Sequence, residues 1–439
     1  MKMAQPGDKK FTKAEKSWIL YDWANSVYAT NIMTALFPLY FGNVCKAAGA
    51  DNLVLWSYGT SIATAVVAIL APFLGALGDH KGYKKKLFAG FLFVGVIFTL
   101  TSAFFDQYQF LLIGYILSRI GFSGSCLFYD SFLTDVTIPE RMDKVSSWGY
   151  AMGYIGGSTI PFIGSIVVLL LMGFNDPTAF KIVLVMTSLW WALFSIPMLT
   201  NVHQTHYVTT KGKALITDSL SNLWKTAKEI FSQKGIFLFI LAYFFYIDGV
   251  GTIISVSTSY GDSLGLGQIS MVLALLVTQV VAMVFSILFG KLSSRFGSIS
   301  LLLFAIAVYF VITLVGFGMG YMVETHPGDP GAIAIGNVLF WVVAVLVGTV
   351  QGGIQAISRS YFGKLIPAER SNEFFGFFDI FGKFAAVIGP ALIATFAQLT
   401  GMNSIGVLSL AILFAVGFCI LFFGRKALHE QEQKNQQNS

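Results

Sequence analysis

About twelve runs of roughly twenty apolar residues, separated by short polar or Gly/Pro-containing breaks, constrain what this 439-residue chain can become. A helix needs ~20 apolar residues to cross the ~30 Å hydrocarbon core of a bilayer. The runs lie near 17–42, 53–77, 87–105, 108–135, 146–171, 180–200, 235–260, 268–290, 299–321, 333–361, 373–399 and 404–424, and are numbered here as spans 1 to 12. Hydrophobic residues make up 55% of the chain and charged residues 11%, against about 25% charged in a soluble domain. Such a chain cannot cover itself with polar surface. The expected fold is all-α and integral to the membrane, with twelve transmembrane helices and the lipid bilayer as its partner.

Lys and Arg set the orientation of such a bundle. Of the 28, Lys46 and Lys181 fall in loops on one side and Arg119, Arg359 and Lys383 fall within spans. The other 23 lie on the opposite side, which is therefore expected to be cytoplasmic, with both termini there. The only long polar break, 201–234, divides the chain six plus six, and its latter part, ALITDSLSNLWKTAKEIF, spaces apolar residues like an amphipathic surface helix. The expected organisation is a cytoplasmic segment 1–16, a six-helix bundle 17–200, a linker 201–234, a second bundle 235–424 and a tail 425–439. No cleavable signal peptide is evident in the polar, basic first 16 residues. The net charge of +6 comes without a basic patch interleaved with aromatics, so nucleic acid is not an expected partner. Cys45, Cys126 and Cys419 lie far apart and suggest neither a disulfide framework nor a metal site. His203 and His206, three apart in the linker, read as solvated loop histidines because no third ligand is near. Trp18, Trp56 and Tyr108, near span ends, suit an interfacial belt.

The halves resemble each other. IPERMDKVSSWGYAMGYIGGSTIP (138–161) parallels IPAERSNEFFGFFDIFGKFAAVIGP (366–390) at an offset of about 228 residues, GALGDHKGYKKKL echoes GKLSSRFGSISL, and Asp22 in span 1 echoes Asp248 in span 7. Repeated halves are typical of secondary transporters. Gly75-x-x-x-Asp79-x-x-Gly82-x-Lys84-Lys85 resembles the helix 2–3 loop motif of the major facilitator superfamily. Arg119-Ile-Gly-Phe-Ser-Gly resembles its helix-4 arginine motif, and Gly153 to Pro161 its Gly/Pro-rich helix 5. YDWANSVYAT, YFFYIDGVGT, QGGIQAISRS and EFFGFFDIFGKFAAVIGP resemble its UMF-type branch, which includes fungal vacuolar effluxers of amino acids. The resemblance implies two pseudo-symmetric six-helix bundles, with helices 1, 4, 7 and 10 lining a central cavity. It also implies that Asp79 meets the N-terminal end of helix 11 and helps to latch one state of the transport cycle. Ser294 stands where the second loop motif often has Asp, which implies a weaker latch in the second half.

Charges at bilayer depth are costly and usually face a cavity or a partner. Asp22, Asn25 and Ser26, at i, i+3 and i+4, share one face of span 1 and are expected to face the cavity, the alternative being a buried network that packs helices. Asp248, beside Gly249 and Gly251, is a candidate for proton or substrate work, and equally for a static ion pair. Arg119 could pair with it or hold a substrate carboxylate. Asp130, Gln351 and Gln355 complete the candidate substrate or proton site. Arg359, Asp379 and Lys383 are expected to form a structural charge network, and Asp135 is expected to engage Lys84 or Lys85 near Asp79.

These features point to a secondary transporter moving a small polar or zwitterionic solute by alternating access. The resemblance suggests amino acids and export, and a mid-membrane Asp248 whose surroundings change suggests proton coupling. No cofactor or metal is expected, and a monomer in a bacterial-type plasma membrane is expected from the chain length and short tail. No P-loop is present to use ATP directly. A uniporter, an importer of another organic solute and a non-transporting sensor remain alternatives. A membrane enzyme would need a catalytic constellation at membrane depth. All five histidines (80, 203, 206, 326 and 429) fall in loops or the tail.

Overall fold

A computed structural model describes residue 5 and residues 10–209, 225–385 and 387–438. Among the described residues, eleven helical stretches are long and apolar enough to cross a membrane, from Val54–Gly78 to Asn403–Gln437. Span 1 is the polar one. It runs as an α-helix Lys13–Tyr28, a π-helical segment Ala29–Ala35 and an α-helix Leu36–Ala47.

Caps explain where several helices start. Thr12 and Glu15 form a reciprocal capping box ahead of Lys13. Asp51 accepts from the Val54 N–H to start span 2, Asn52–Gly78, and Asp176 accepts from Thr178 ahead of Pro177 to start span 6, Pro177–Asn201. Gly82 enters span 3, Tyr83–Thr101, at φ 78°, a conformation that favours glycine.

Span 4, Tyr108–Ser131, ends short of its apolar run. Several other helices outrun the runs that mark them. Span 5 begins at Pro139, passes through a π-helical segment Gly153–Thr159 and ends as Ile160–Met172. Span 10 fills Pro330–Leu365. Span 11 is two helices, Ser371–Ala385 and Ile388–Thr400. Span 12 includes Leu410–Asn438, so most of the segment expected as a tail is helical. The surface helix expected near 214–231 lies mostly outside the described residues, and 225–232 are helical.

The chain forms two compact units. Unit 1 comprises 1–145, 152–227 and 366–379; unit 2 comprises 146–151, 228–365 and 380–439. Within unit 1, Trp191 is buried against Tyr28 and Phe122. Spans 3 and 4 touch backbone to backbone, since a side chain on Gly121 would run into the backbone of Gly95. Small residues of this kind let membrane helices approach closely. Trp18 is not an interfacial anchor. It is fully buried, stacked on Tyr129 at 4.4 Å, and donates its indole N–H to the Tyr129 carbonyl. Span 1 starts at Lys13, which places Trp18 inside the bundle rather than at its rim. Within unit 2, span 7 is an unbroken helix, Lys234–Ser263. It packs on span 12 where a side chain at Gly249 would meet Phe414 at 2.6 Å.

Candidate functional site

In unit 1 the loop after span 2 carries a dense polar cluster. Asp79, 3% exposed, accepts from the backbone N–H of Asn372 (2.9 Å) and Glu373 (3.0 Å) and from the Asn372 amide (2.8 Å). These donors sit in the first turn of Ser371–Ala385, where helix N–H groups lack intrahelical partners and the dipole is positive. Gly75 and Gly376 permit the approach, for a side chain at either would meet the backbone of the other helix. Burial lifts the Asp79 carboxyl to about 7, even though the Lys84 charge and the three N–H donors pull it down.

Lys84 is fully buried, and its ammonium donates to Asp135 Oδ2 (2.7 Å), the Ser131 carbonyl (3.2 Å) and Ser371 Oγ (3.0 Å). Lys85 faces His203 instead, at 3.4 Å. The first linker residues strap across this cluster. Asp135 accepts from the Thr205 N–H and hydroxyl and from the His206 N–H, Gln204 donates to the Gly78 and Asp79 carbonyls, and Val208 N–H donates to Asp79 O. His206 is therefore not a solvated loop histidine: its ring lies 3.5 Å from Asp135, at 31% side-chain exposure. A buried carboxylate and the carbonyls of buried Gly78 and Asp79 need donors, and the linker supplies them.

The polar residues of span 1 pack against neighbouring helices. Asp22, 9% exposed, accepts from the Tyr129 hydroxyl at 2.7 Å. Ser26 faces Gly153 and Gly157 of span 5, where added side chains would collide with it. Asn25 is 5% exposed. Deeper, Asn31 donates to Ser165 and Thr187 at 2.9 and 3.0 Å. The described partners of these residues lie on spans 4, 5 and 6. Arg119 donates to the Tyr115 hydroxyl at 2.6 Å, and Asp130 is half-buried.

In unit 2, Asp248 is 1% exposed. Both its oxygens accept from the Gly389 N–H (3.1 and 2.9 Å), and Oδ1 accepts from the Thr252 hydroxyl at 3.3 Å. Arg359 is 4% exposed. It donates to Ser146 Oγ (2.9 Å) and Ser146 O (3.1 Å) and lies 4.5 Å over the Tyr150 ring. Gln351 is buried, and Gln355 is half-buried one turn on. Asp379 belongs to unit 1 and Lys383 to unit 2, and both are half-buried. The exposed Ser294 hydroxyl donates to Lys291 O, a local bond that makes no latch.

Sequence reasoning missed the Glu15–Arg141 pair. Glu15 is fully buried, and it accepts from Arg141 (2.9 Å at each oxygen) and Thr137. The signals available were the capping-box spacing of Thr12 and Glu15 and the recurrence of the Ile-Pro…Glu-Arg run.

Residues 53–137 and 134–434 match the family described as vacuole effluxer Atg22 like. An uncharacterized MFS-type transporter of Bacillus subtilis strain 168, YxiO, is 47% identical over 94% of this chain and 95% of its own length. Autophagy-related protein 22-1 of Neosartorya fischeri is 25% identical over 59% of this chain, which spans 45% of that protein. Among solved structures, the proton:xylose symporter XylE superposes with a TM-score of 0.67 at 12% identity, covering 95% of this chain and 94% of its own. A bacterial homologue of the iron transporter ferroportin superposes with 0.65 at 14% identity, over 93% and 98%.

Proposed function

For a chain that belongs to the Atg22-like vacuole effluxer family of major-facilitator-type transporters, we propose proton-coupled export of a small polar or zwitterionic solute, amino acids foremost, by alternating access. The observation that carries the coupling is Asp248. A carboxylate buried mid-span, with a backbone N–H and a hydroxyl as its partners among the described residues, is costly to keep ionised and suited to take and release a proton as its surroundings change. As the substrate groups of this reading we take Asp22, Asn25, Arg119 and Asp130 of unit 1 and Gln351 and Gln355 of unit 2, polar groups of both kinds that suit a zwitterion. The cluster of Asp79, Lys84 and Asp135 fits a latch that holds one state. The excess of Lys and Arg on one side supports cytoplasmic termini, and the Bacillus relative supports a bacterial plasma membrane.

Proteoliposomes loaded with an amino-acid mixture test this reading, with efflux measured by mass spectrometry with and without an imposed pH gradient. Release that follows the gradient in the wild type and loses that dependence in Asp248→Asn is the expected result. Gradient-independent release with an unaltered mutant overturns the coupling role, and no release beyond empty liposomes overturns the amino-acid assignment.

A further inference from the structure

Span 11 is interrupted where its two helices meet. Gly389 is the second residue of Ile388–Thr400, so its N–H is one of the first-turn donors that no intrahelical carbonyl accepts. The next residue, Pro390, has no N–H at all. In this helix end the Gly389 donor is taken by a carboxylate from another span, Asp248, with both oxygens in reach.

Residue 389 has to be glycine for this arrangement. A side chain there would run into the Thr252 hydroxyl and come within 2.9 Å of Asp248 Oδ1. The repeat supplies an internal comparison. Pro161 stands in span 5 where Pro390 stands in span 11, and the residue before it is Ile160 rather than glycine. There the distortion is π-helical, Gly153–Thr159, and the corresponding aspartate, Asp22, gives its carboxylate to Tyr129 instead.

We propose that Gly389 is the positioning residue through which Asp248 governs span 11. The ionised carboxylate clasps the first turn of Ile388–Thr400, and a proton on Asp248 releases it. The inference rests on the proton-coupled reading above and names the element that the proton moves. An ionised carboxylate accepts the N–H in a charge-assisted bond. The protonated acid is a weaker acceptor and has its own O–H to place, so the clasp loses most of its hold.

The charged groups on the elements around Asp248 leave it dependent on that bond. Ile388–Thr400 carries no charged residue. Span 12 carries none before Arg425, well beyond its contact at Gly249, and span 8, Gln268–Phe296, none before Lys291. On span 10, Arg359 is engaged by Ser146 and Tyr150, and Lys364 donates to Ser298. On span 7 itself, Lys234 and Asp262 lie at the two ends. Lys383, half-buried on the preceding helix of span 11, is the cation nearest Gly389 in sequence.

Hydrogen exchange of the Ala391–Thr400 amides, in protein held in lipid nanodiscs at pH 5.5 and pH 8 with labelling times corrected for intrinsic rates, tests the clasp. The wild type is expected to exchange roughly tenfold faster at pH 5.5, the scale of one charge-assisted hydrogen bond. Asp248→Asn is expected to exchange fast at both pH values. Gly389→Ala should behave the same way, while Thr252→Val keeps the wild-type switch. Equal wild-type exchange at both pH values, or a switch that persists in Asp248→Asn, overturns the proposal even if Gly389→Ala fails to fold. If the clasp opens with acid while solute efflux ignores the pH gradient, the clasp stands and the coupling reading falls. If efflux follows the gradient and the amides do not respond, the clasp alone falls.

Discussion

Replacing Asp79 with asparagine removes a titration that the structure makes unusual. Asp79 holds its proton to about pH 7 in the folded protein, against a reference value of 3.8. Between those values the folded state binds the extra proton, so stability falls as pH rises, and the full cost is in place above pH 7. At ~1.4 kcal/mol per pH unit the cost is on the order of 4 kcal/mol, which for a chain of this length corresponds to roughly 5 °C in Tm. Asparagine is neutral at every pH. Its carbonyl still accepts from Asn372, but its amide faces the Glu373 N–H that Asp79 Oδ2 now accepts, a pH-independent loss of about 1–2 kcal/mol. Melting of both proteins in one detergent, followed by intrinsic fluorescence from pH 5 to pH 8, should therefore show diverging profiles. Asp79→Asn melts close to wild type at pH 5, where the wild type already carries about 1–2 kcal/mol of that cost, and roughly 2–4 °C above it at pH 8. Parallel profiles would refute the reasoning, because they would mean that the three N–H donors and Lys84 keep Asp79 ionised across the whole range.

Two other substitutions test the packing. Lys84→Met should cost about 3–5 kcal/mol by leaving the Asp135 carboxylate without its buried cation, and Lys84→Met/Asp135→Leu should recover part of that loss in a thermal double-mutant cycle; additive losses would deny the pair its coupling. Gly121→Val should lower the melting temperature by forcing the backbones of spans 3 and 4 apart, whereas Gly251→Ala, where no atom lies within 4 Å, should be neutral or slightly stabilising. Equal losses from the two glycine variants would show that close approach is not what Gly121 provides.

The spans were legible because hydrocarbon imposes a length and a composition that few other environments demand. Their ends were less so. A helix continues past the apolar core until a cap or a proline stops it, as span 5 does back to Pro139 and span 10 to Pro330. The oddity of Asp22 and Asp248 was also plain, since a charge in an apolar run stands out. Their partners were not. Helical periodicity names the face on which Asp22 and Ser26 lie, but not the glycine run of span 5 that covers Ser26. Asp248 is answered by a backbone N–H, which has no side-chain signature, and only Pro390 marks where the helix exposes one. His206 illustrates the limit from the other direction. Two polar residues in a polar linker look solvated until the unmet acceptors of a distant loop are known.

The membership of residues 366–379 in unit 1 has a consequence for biosynthesis. A ribosome adds about 5–20 residues per second, so the strip that completes unit 1 is synthesised roughly 7–30 s after residue 227. Until it arrives, Asp79 has neither the Asn372 nor the Glu373 donors, and Lys84 lacks Ser371. The first half therefore waits in the membrane with the Asp79 carboxylate uncapped, and its final packing is a late event that the second half triggers. Two separately encoded pieces divided in the linker would mature only when produced together, with the first piece the more exposed to quality control during the wait.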